Sequence, residues 1–285
     1  MKGIILAGGT GSRLWPSTIS ISKQLIPVYD KPLIYYPLST LMLAGINDVL
    51  IITKPEDQED FKTLLGSGEN FGISISYSIQ PRPEGLAQAL IIAESFLDGD
   101  SVLMILGDNV FHGAGLGQDL SKKLAKNGAH IFTYEVKNPN DYGILEINEL
   151  GLPTGIEEKP IKPKSNLAVT GLYYFDSNVS EIAKNVKPSE RGELEITSII
   201  SHYLGNKQLS VTNLSRGTAW LDTGNPNAIH DASSFVRIIE ERTGLKIGCV
   251  EEVAYRNKWI TLEQLRNRGR ALEPSTYGKY LLEIS

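Results

Sequence analysis

Cysteine is almost absent from this 285-residue chain. Cys249 stands alone, so no disulfide can form within it, and a reducing setting such as the cytoplasm is expected. Histidine is sparse as well. His112, His130, His202 and His230 are scattered, and none has a cysteine or a second histidine at ligand spacing, which argues against zinc. No apolar run approaches the roughly 18 residues of a membrane helix. The apolar start, Ile4 to Ala7, is short and soon broken by glycine, unlike a secretory leader. Positive charge is not in excess: 28 Lys and Arg against 33 Asp and Glu leave a net charge of −5, so no nucleic-acid surface is expected. No repeat, low-complexity stretch or linker divides the chain. No G-x-S-x-G elbow or other paired nucleophile and base is evident.

The remainder has the composition of an ordinary globular protein, 41% hydrophobic and 21% charged. Its most informative stretch is the beginning. Ile4, Ile5 and Leu6 form a short apolar strand that runs into Gly8, Gly9 and Gly11. Glycines there let a ligand approach the backbone, and successive N–H groups make a concavity for anions. Arg13 and Lys23 add two cations, so the segment reads as a polyphosphate site. It is not a P-loop, because Ser12-Arg13 follows Gly11 where Lys-Ser/Thr is required. Nor is it a full dinucleotide fingerprint, because position 14 is Leu where the third glycine belongs.

Short apolar runs at Gly3–Leu6, Asp48–Thr53, Ser74–Ser78 and Val102–Leu106 alternate with helical patterns at about Leu33–Ala44, Pro55–Leu65 and Gly85–Phe96. That alternation predicts parallel βαβ units. From Ala129 the pattern turns β-rich, with strands expected at His130–Val136, Gly143–Ile147, Ala168–Phe175 and Leu209–Leu214, and a helix at Glu193–Leu204. Asn225 and Pro226 read as N-cap and first residue of a helix that Gly244 closes. The expected architecture is a single α/β domain over 1–285. Its Rossmann-like, mostly parallel sheet is flanked by helices and carries an added β-rich part. Three parts are expected: one with the phosphate loop over about 1–128, the β-rich one over about 129–224, and a helical C-terminal part over about 225–285.

Asp108 follows a buried strand, where ligands of open α/β sheets bind. Asp222 is a natural second carboxylate, and a hard cation such as Mg²⁺ takes one or two carboxylates plus phosphate oxygens. Gln80 carries both donor and acceptor, which suits the N3–H and O4 edge of thymine or uracil.

These blocks, L-A-G-G-T-G-S-R-L and S-K-Q-L-I-P near the start, then Q-P-R-P-E-G, L-G-D-N, E-E-K-P, V-T-G-L-Y, R-G-E-L-E-I-T and W-L-D-T-G, resemble the sugar-1-phosphate nucleotidyltransferases. Y-D-K-P-L-I-Y-Y-P-L-S-T-L-M-L-A-G-I is similar to their glucose-1-phosphate thymidylyltransferase branch. His112 departs from the pattern, standing where tyrosine is expected.

The resemblance implies the nucleotide-diphospho-sugar transferase fold, with about 1–128 as its nucleotide-binding part and about 129–224 as its sugar-binding part. It implies that Leu6, Gly8, Gly9, Thr10, Gly11, Arg13, Gln80 and Gly85 hold the nucleotide. Tyr142, Gly143, Glu158, Lys159 and Val169 are then expected at the sugar phosphate, Asp108 and Asp222 at Mg²⁺, and Arg13, Lys23, Asp108, Lys159 and Asp222 in catalysis. The implied reaction joins dTTP to glucose 1-phosphate, giving dTDP-glucose and pyrophosphate, the first step toward dTDP-L-rhamnose and related deoxysugars. The family pattern further implies a homotetramer with dTDP-rhamnose as feedback inhibitor, for which Arg216 and Arg256 are candidate contacts. A uridylyltransferase, a non-catalytic sugar-nucleotide sensor and an NAD-dependent oxidoreductase remain as alternatives.

Overall fold

The apolar run at the N-terminus becomes the middle of a sheet. The structure, a computed structural model, describes residues 1–117, 120 and 127–285. Those residues form thirteen strands: β1 (Lys2–Ala7), β2 (Pro27–Val28), β3 (Lys31–Pro32), β4 (Asp48–Thr53), β5 (Ser74–Ile79), β6 (Val102–Leu106), β7 (Asn109–His112), β8 (Ala129–Glu135), β9 (Gly143–Ile147), β10 (Pro153–Glu158), β11 (Leu167–Phe175), β12 (Leu209–Asn213) and β13 (Ala219–Asp222). β1 lies between β6 and β4, and β5 follows β4, all parallel. β11 pairs antiparallel with β6 and carries the β-rich part, with β9 and β10 on one side and β8 and β12 on the other. The central sheet is thus mixed but mostly parallel where the nucleotide reading places its site. Two ribbons stand apart, β2–β3 and β7–β13.

Strand β1 is buried on both faces. Ile5 and Ala7 pack with Leu38 and Leu41 of the helix Tyr35–Leu43, whereas Ile4 and Leu6 pack with Leu90 of the helix Gln88–Ile92 and Ile199 of the helix Ile196–Gly205. This double burial explains the unbroken apolar run, which a half-exposed strand would not show. Pro37 falls in the first turn of the helix Tyr35–Leu43, where its missing N–H breaks no intrahelical bond.

Two expected helices begin late for one reason. Leu194 N–H donates to the Glu84 carbonyl at 2.7 Å, and Ala87 N–H donates to the Leu194 carbonyl at 3.0 Å. This bridge ties residues 84–87 to residues 193–194 outside any helix. Helix therefore starts at Gln88 and ends in a second piece, Glu94–Leu97, and the helix expected from Glu193 starts at Ile196.

Residues 226–283 supply the helices Pro226–Thr243, Val250–Arg256, Leu262–Ala271 and Thr276–Glu283. The Asn225 side chain accepts from Ala228 N–H at 3.0 Å, and Gly244 closes the first helix at φ +70°. No described helix is long and apolar enough to cross a membrane.

Candidate active site

The parallel pairing of β1 with β6, Leu6 opposite Leu106, makes the two chains leave the sheet together. The loop Gly8–Gly11 and Asp108 therefore share one edge, the carboxyl ends of the strands. The ribbon β7–β13 pairs Asp222 with Asn109 and so sets the second carboxylate beside the first. Thr223 fastens the join: its N–H and hydroxyl both donate to the Asp108 carbonyl, at 3.2 and 2.8 Å.

Between these segments lies a cavity of about 490 Å³. All five residues expected in catalysis line it: Arg13, Lys23, Asp108, Lys159 and Asp222. Lys23 is buried, and its ammonium donates to Asp108 Oδ2 at 2.5 Å. Asp108 Oδ1 accepts from Asn109 Nδ2 at 2.9 Å. Burial and, after it, the Asp108 charge push the Asp222 carboxyl up, Lys23, Arg13 and Lys159 draw it back, and the balance leaves it at about 6. The site thus crowds two carboxylates and balances them with three cations. Among the described residues no group of three or more His, Cys, Asp and Glu is gathered as for an enclosed metal. The pair Asp108 and Asp222 offers instead the two hard oxygen donors that suit Mg²⁺ with water and phosphate filling its remaining positions.

The opposite wall comes from the β-rich part. β9 and β10 pair Gly143 with Glu158, and the Lys159 N–H donates to the Tyr142 carbonyl at 3.0 Å. Lys159 has φ +45°, an uncommon state for a side-chain-bearing residue that sites tolerate when the surroundings fix it. Tyr142, Gly143, Glu158, Lys159 and Val169, expected at the sugar phosphate, all line the cavity. Burial and the neighbouring Glu195 and Glu193 hold the Glu158 carboxyl above its usual range, against the pull of Lys159 and Arg191.

The nucleotide-side residues divide. Gly9, Thr10, Gly11 and Arg13 line the cavity; Leu6, Gly8, Gln80 and Gly85 do not. Gln80 is buried, and its Nε2 donates to Gln88 Oε1 at 2.7 Å. Its Oε1 lies where a Cβ on Gly8 would sit, only 2.0 Å away, so glycine at 8 makes room for Gln80. Gly85, at φ +112°, faces the Leu194 backbone, which a Cβ would meet at 2.4 Å. The 84–87 bridge therefore requires glycine at this position.

Several lining residues received no role from the sequence: Asn109, Tyr173, Glu193, Thr197 and Trp220. All five lie inside the blocks L-G-D-N, V-T-G-L-Y, R-G-E-L-E-I-T and W-L-D-T-G, so proximity to the assigned residues was the available signal.

A family model described as Nucleotidyl transferase matches residues 2–238. A glucose-1-phosphate thymidylyltransferase of Neisseria meningitidis serogroup A is 54% identical over 285 residues, covering 100% of this chain and 99% of the relative. One from Mycobacterium tuberculosis strain H37Rv is 54% identical over 284 residues, with the same coverage. A crystal structure from Bacillus anthracis, assigned as a glucose-1-phosphate thymidylyltransferase and solved with sucrose, superposes with TM-score 0.77 at 41% identity, over 83% of this chain and 95% of its own. A UDP-glucose pyrophosphorylase in complex with UDP-glucose superposes with TM-score 0.74 over 84% and 98%, and at 24% identity it is similar in fold alone.

Proposed function

Because the chain belongs to the Nucleotidyl transferase family, we propose that it is a glucose-1-phosphate thymidylyltransferase, joining dTTP and glucose 1-phosphate into dTDP-glucose and pyrophosphate. The oxidoreductase alternative falls with that membership. One observation carries the reading: full-length relatives of that name at 54% identity agree with a cavity lined by every expected catalytic residue.

The sugar phosphate is largely dianionic near neutral pH, since the second pKa of a phosphomonoester is about 6. It needs no general base, which accounts for the missing nucleophile–base pair. The barrier is the repulsion between two polyanions, so catalysis is positioning and charge neutralisation. Arg13 and the N–H groups of the glycine loop hold the departing β- and γ-phosphates. Lys159, on the facing wall, aims the sugar phosphate, and Glu158 takes sugar hydroxyls. Lys23 neutralises charge near the α-phosphorus. A Mg²⁺ ion held by Asp108 and Asp222, when bound, supplies charge neutralisation at phosphate oxygens. Attack is in line and single-step, with no nucleotidyl-enzyme intermediate.

The same reading includes a cytoplasmic homotetramer inhibited by dTDP-rhamnose, with Arg216 and Arg256 as candidate contacts. Pyrophosphate release measured across dTTP, UTP and several hexose 1-phosphates tests it. Turnover is expected with dTTP and glucose 1-phosphate, and with UTP to a lesser degree, because the one methyl that separates the bases is worth only about 0.8 kcal/mol of burial. Nucleotide and sugar phosphate bound without pyrophosphate release would leave a sensor, not an enzyme.

A further inference from the structure

Asn109 is buried, and both ends of its amide are used. The Trp220 indole Nε1–H donates to Asn109 Oδ1 at 2.6 Å. An indole nitrogen can only donate, so this bond fixes which end of the amide is oxygen. The amide nitrogen is then aimed at Asp108, where it donates to Oδ1 at 2.9 Å, while Lys23 donates to Oδ2. Both carboxylate oxygens are held, and the plane of the carboxylate is set. Gly171 leaves the space for this arrangement, since a Cβ there would meet Asn109 Oδ1 at 2.6 Å. Trp220 is itself held by aromatic contacts, with ring centroids 5.2 Å from Tyr142 and 5.9 Å from Tyr134.

We propose that Asn109 is a positioning residue for the reaction: oriented by Trp220, it fixes the Asp108 carboxylate in the attitude that receives the divalent cation. The inference rests on the metal reading above and deepens it. Its direct consequence is that Trp220 acts on the metal through Asn109 and not by itself.

The test uses Trp220→Phe, which keeps an aromatic ring but removes the donor, together with Asn109→Ala and the double variant. The measurement is Mn²⁺ affinity by electron paramagnetic resonance, with the α,β-methylene analogue of thymidine triphosphate bound. Glucose 1-phosphate affinity is measured in parallel by calorimetry. Each single variant is expected to weaken Mn²⁺ roughly fivefold, the scale of one hydrogen bond. The double variant is expected to be no weaker than Asn109→Ala, because residues that act through one another do not add. Unchanged Mn²⁺ affinity in Trp220→Phe, strictly additive losses, or a loss confined to glucose 1-phosphate overturns the positioning role and leaves the proposed function intact. A wild-type protein that binds no Mn²⁺ with any nucleoside triphosphate overturns the metal reading and this role together.

Discussion

Asp222 and Asp108 repel one another across the cavity, and that repulsion has a measurable cost. An aspartate raised from 3.8 to about 6 on folding holds a proton that the unfolded chain gives up between those values. Here the native state binds more protons, so stability falls as pH rises from about 4 to about 6 and stays lowered above. A two-unit shift corresponds to about 3 kcal/mol, and 1–3 kcal/mol is the expected order. With chelator present, Asp222→Asn should therefore resist urea better than wild type at pH 7.5, and the gap should close near pH 4. Wild type as stable as the variant at both pH values would contradict the crowding. The same substitution, like Asp108→Asn, should lower kcat by at least about 10²-fold, the scale of losing one electrostatic stabiliser. The stability gain and the rate loss share one cause, since a cation that relieves the repulsion is also what the reaction uses. Arg13 and Lys159 face the cavity from opposite walls. Arg13→Ala should chiefly weaken dTTP and Lys159→Ala chiefly glucose 1-phosphate, each by about 1.5–3 kcal/mol in separate calorimetric titrations. Equal damage to both ligands by each variant would end that division of labour.

At the scale of elements, what the sequence disclosed was what it holds contiguously. The strand β1, the glycine loop and Arg13 are consecutive, and Asn225-Pro226 with Gly244 marks one helix from its own caps. What stayed hidden depends on pairing between distant segments. Asn109 and Trp220 are 111 residues apart and meet only because β7 and β13 form a ribbon. The Glu84–Leu194 bridge likewise delays two helices and explains Gly85, and no local propensity records it. β10 has no apolar run of its own and exists by pairing with β9, with a register shift between Pro153 and Gly155. Gly8 joins the legible and the hidden: the sequence reads it as phosphate loop, and the structure presses it against Gln80. Gly8→Ala should displace the Gln80 amide from Gln88 and carry the loop with it. A drop of about tenfold or more in dTTP affinity is expected, with glucose 1-phosphate affinity retained, on the scale of a lost charged hydrogen bond. Calorimetry showing unchanged dTTP binding would mean that the Gln80 side chain moves aside without disturbing the loop.

Across the whole molecule, one buried charge network joins residues 30 and 31 to residues 240 and 246. Lys31 reaches Asp30 at 2.5 Å and Glu240 at 3.0 Å, and Lys246 reaches Glu240 at 2.9 Å and also pairs with Asp30. Glu240 Oε1 further accepts from Ile247 N–H at 2.9 Å. Asp30 and Lys31 sit at the β2–β3 ribbon, shortly after Lys23, while Glu240 lies on the helix that follows Asp222. The network therefore braces the two segments that carry proposed catalytic groups against the C-terminal helices, where the Lys31 and Lys246 ammoniums also lie 5.8 Å from the Tyr277 ring. Its four charges balance in number, two of each sign. Removing one leaves a buried charge without its partner, which costs about 3–5 kcal/mol, whereas removing a matched pair in favour of apolar groups is often neutral. Lys31→Met alone should accordingly destabilise the protein by about 3–5 kcal/mol in urea unfolding. Lys31→Met with Glu240→Leu should recover part of that loss, because Asp30 and Lys246 remain paired, while the Ile247 N–H loses its acceptor and Lys246 loses one of its two. If the double variant is less stable than Lys31→Met alone, the network is held by its hydrogen bonds and not by the balance of its charges. If Lys31→Met costs less than about 1 kcal/mol, the range of exposed ion pairs, water reaches the cluster and the brace between the two catalytic segments is apolar packing around Tyr36 and Tyr277.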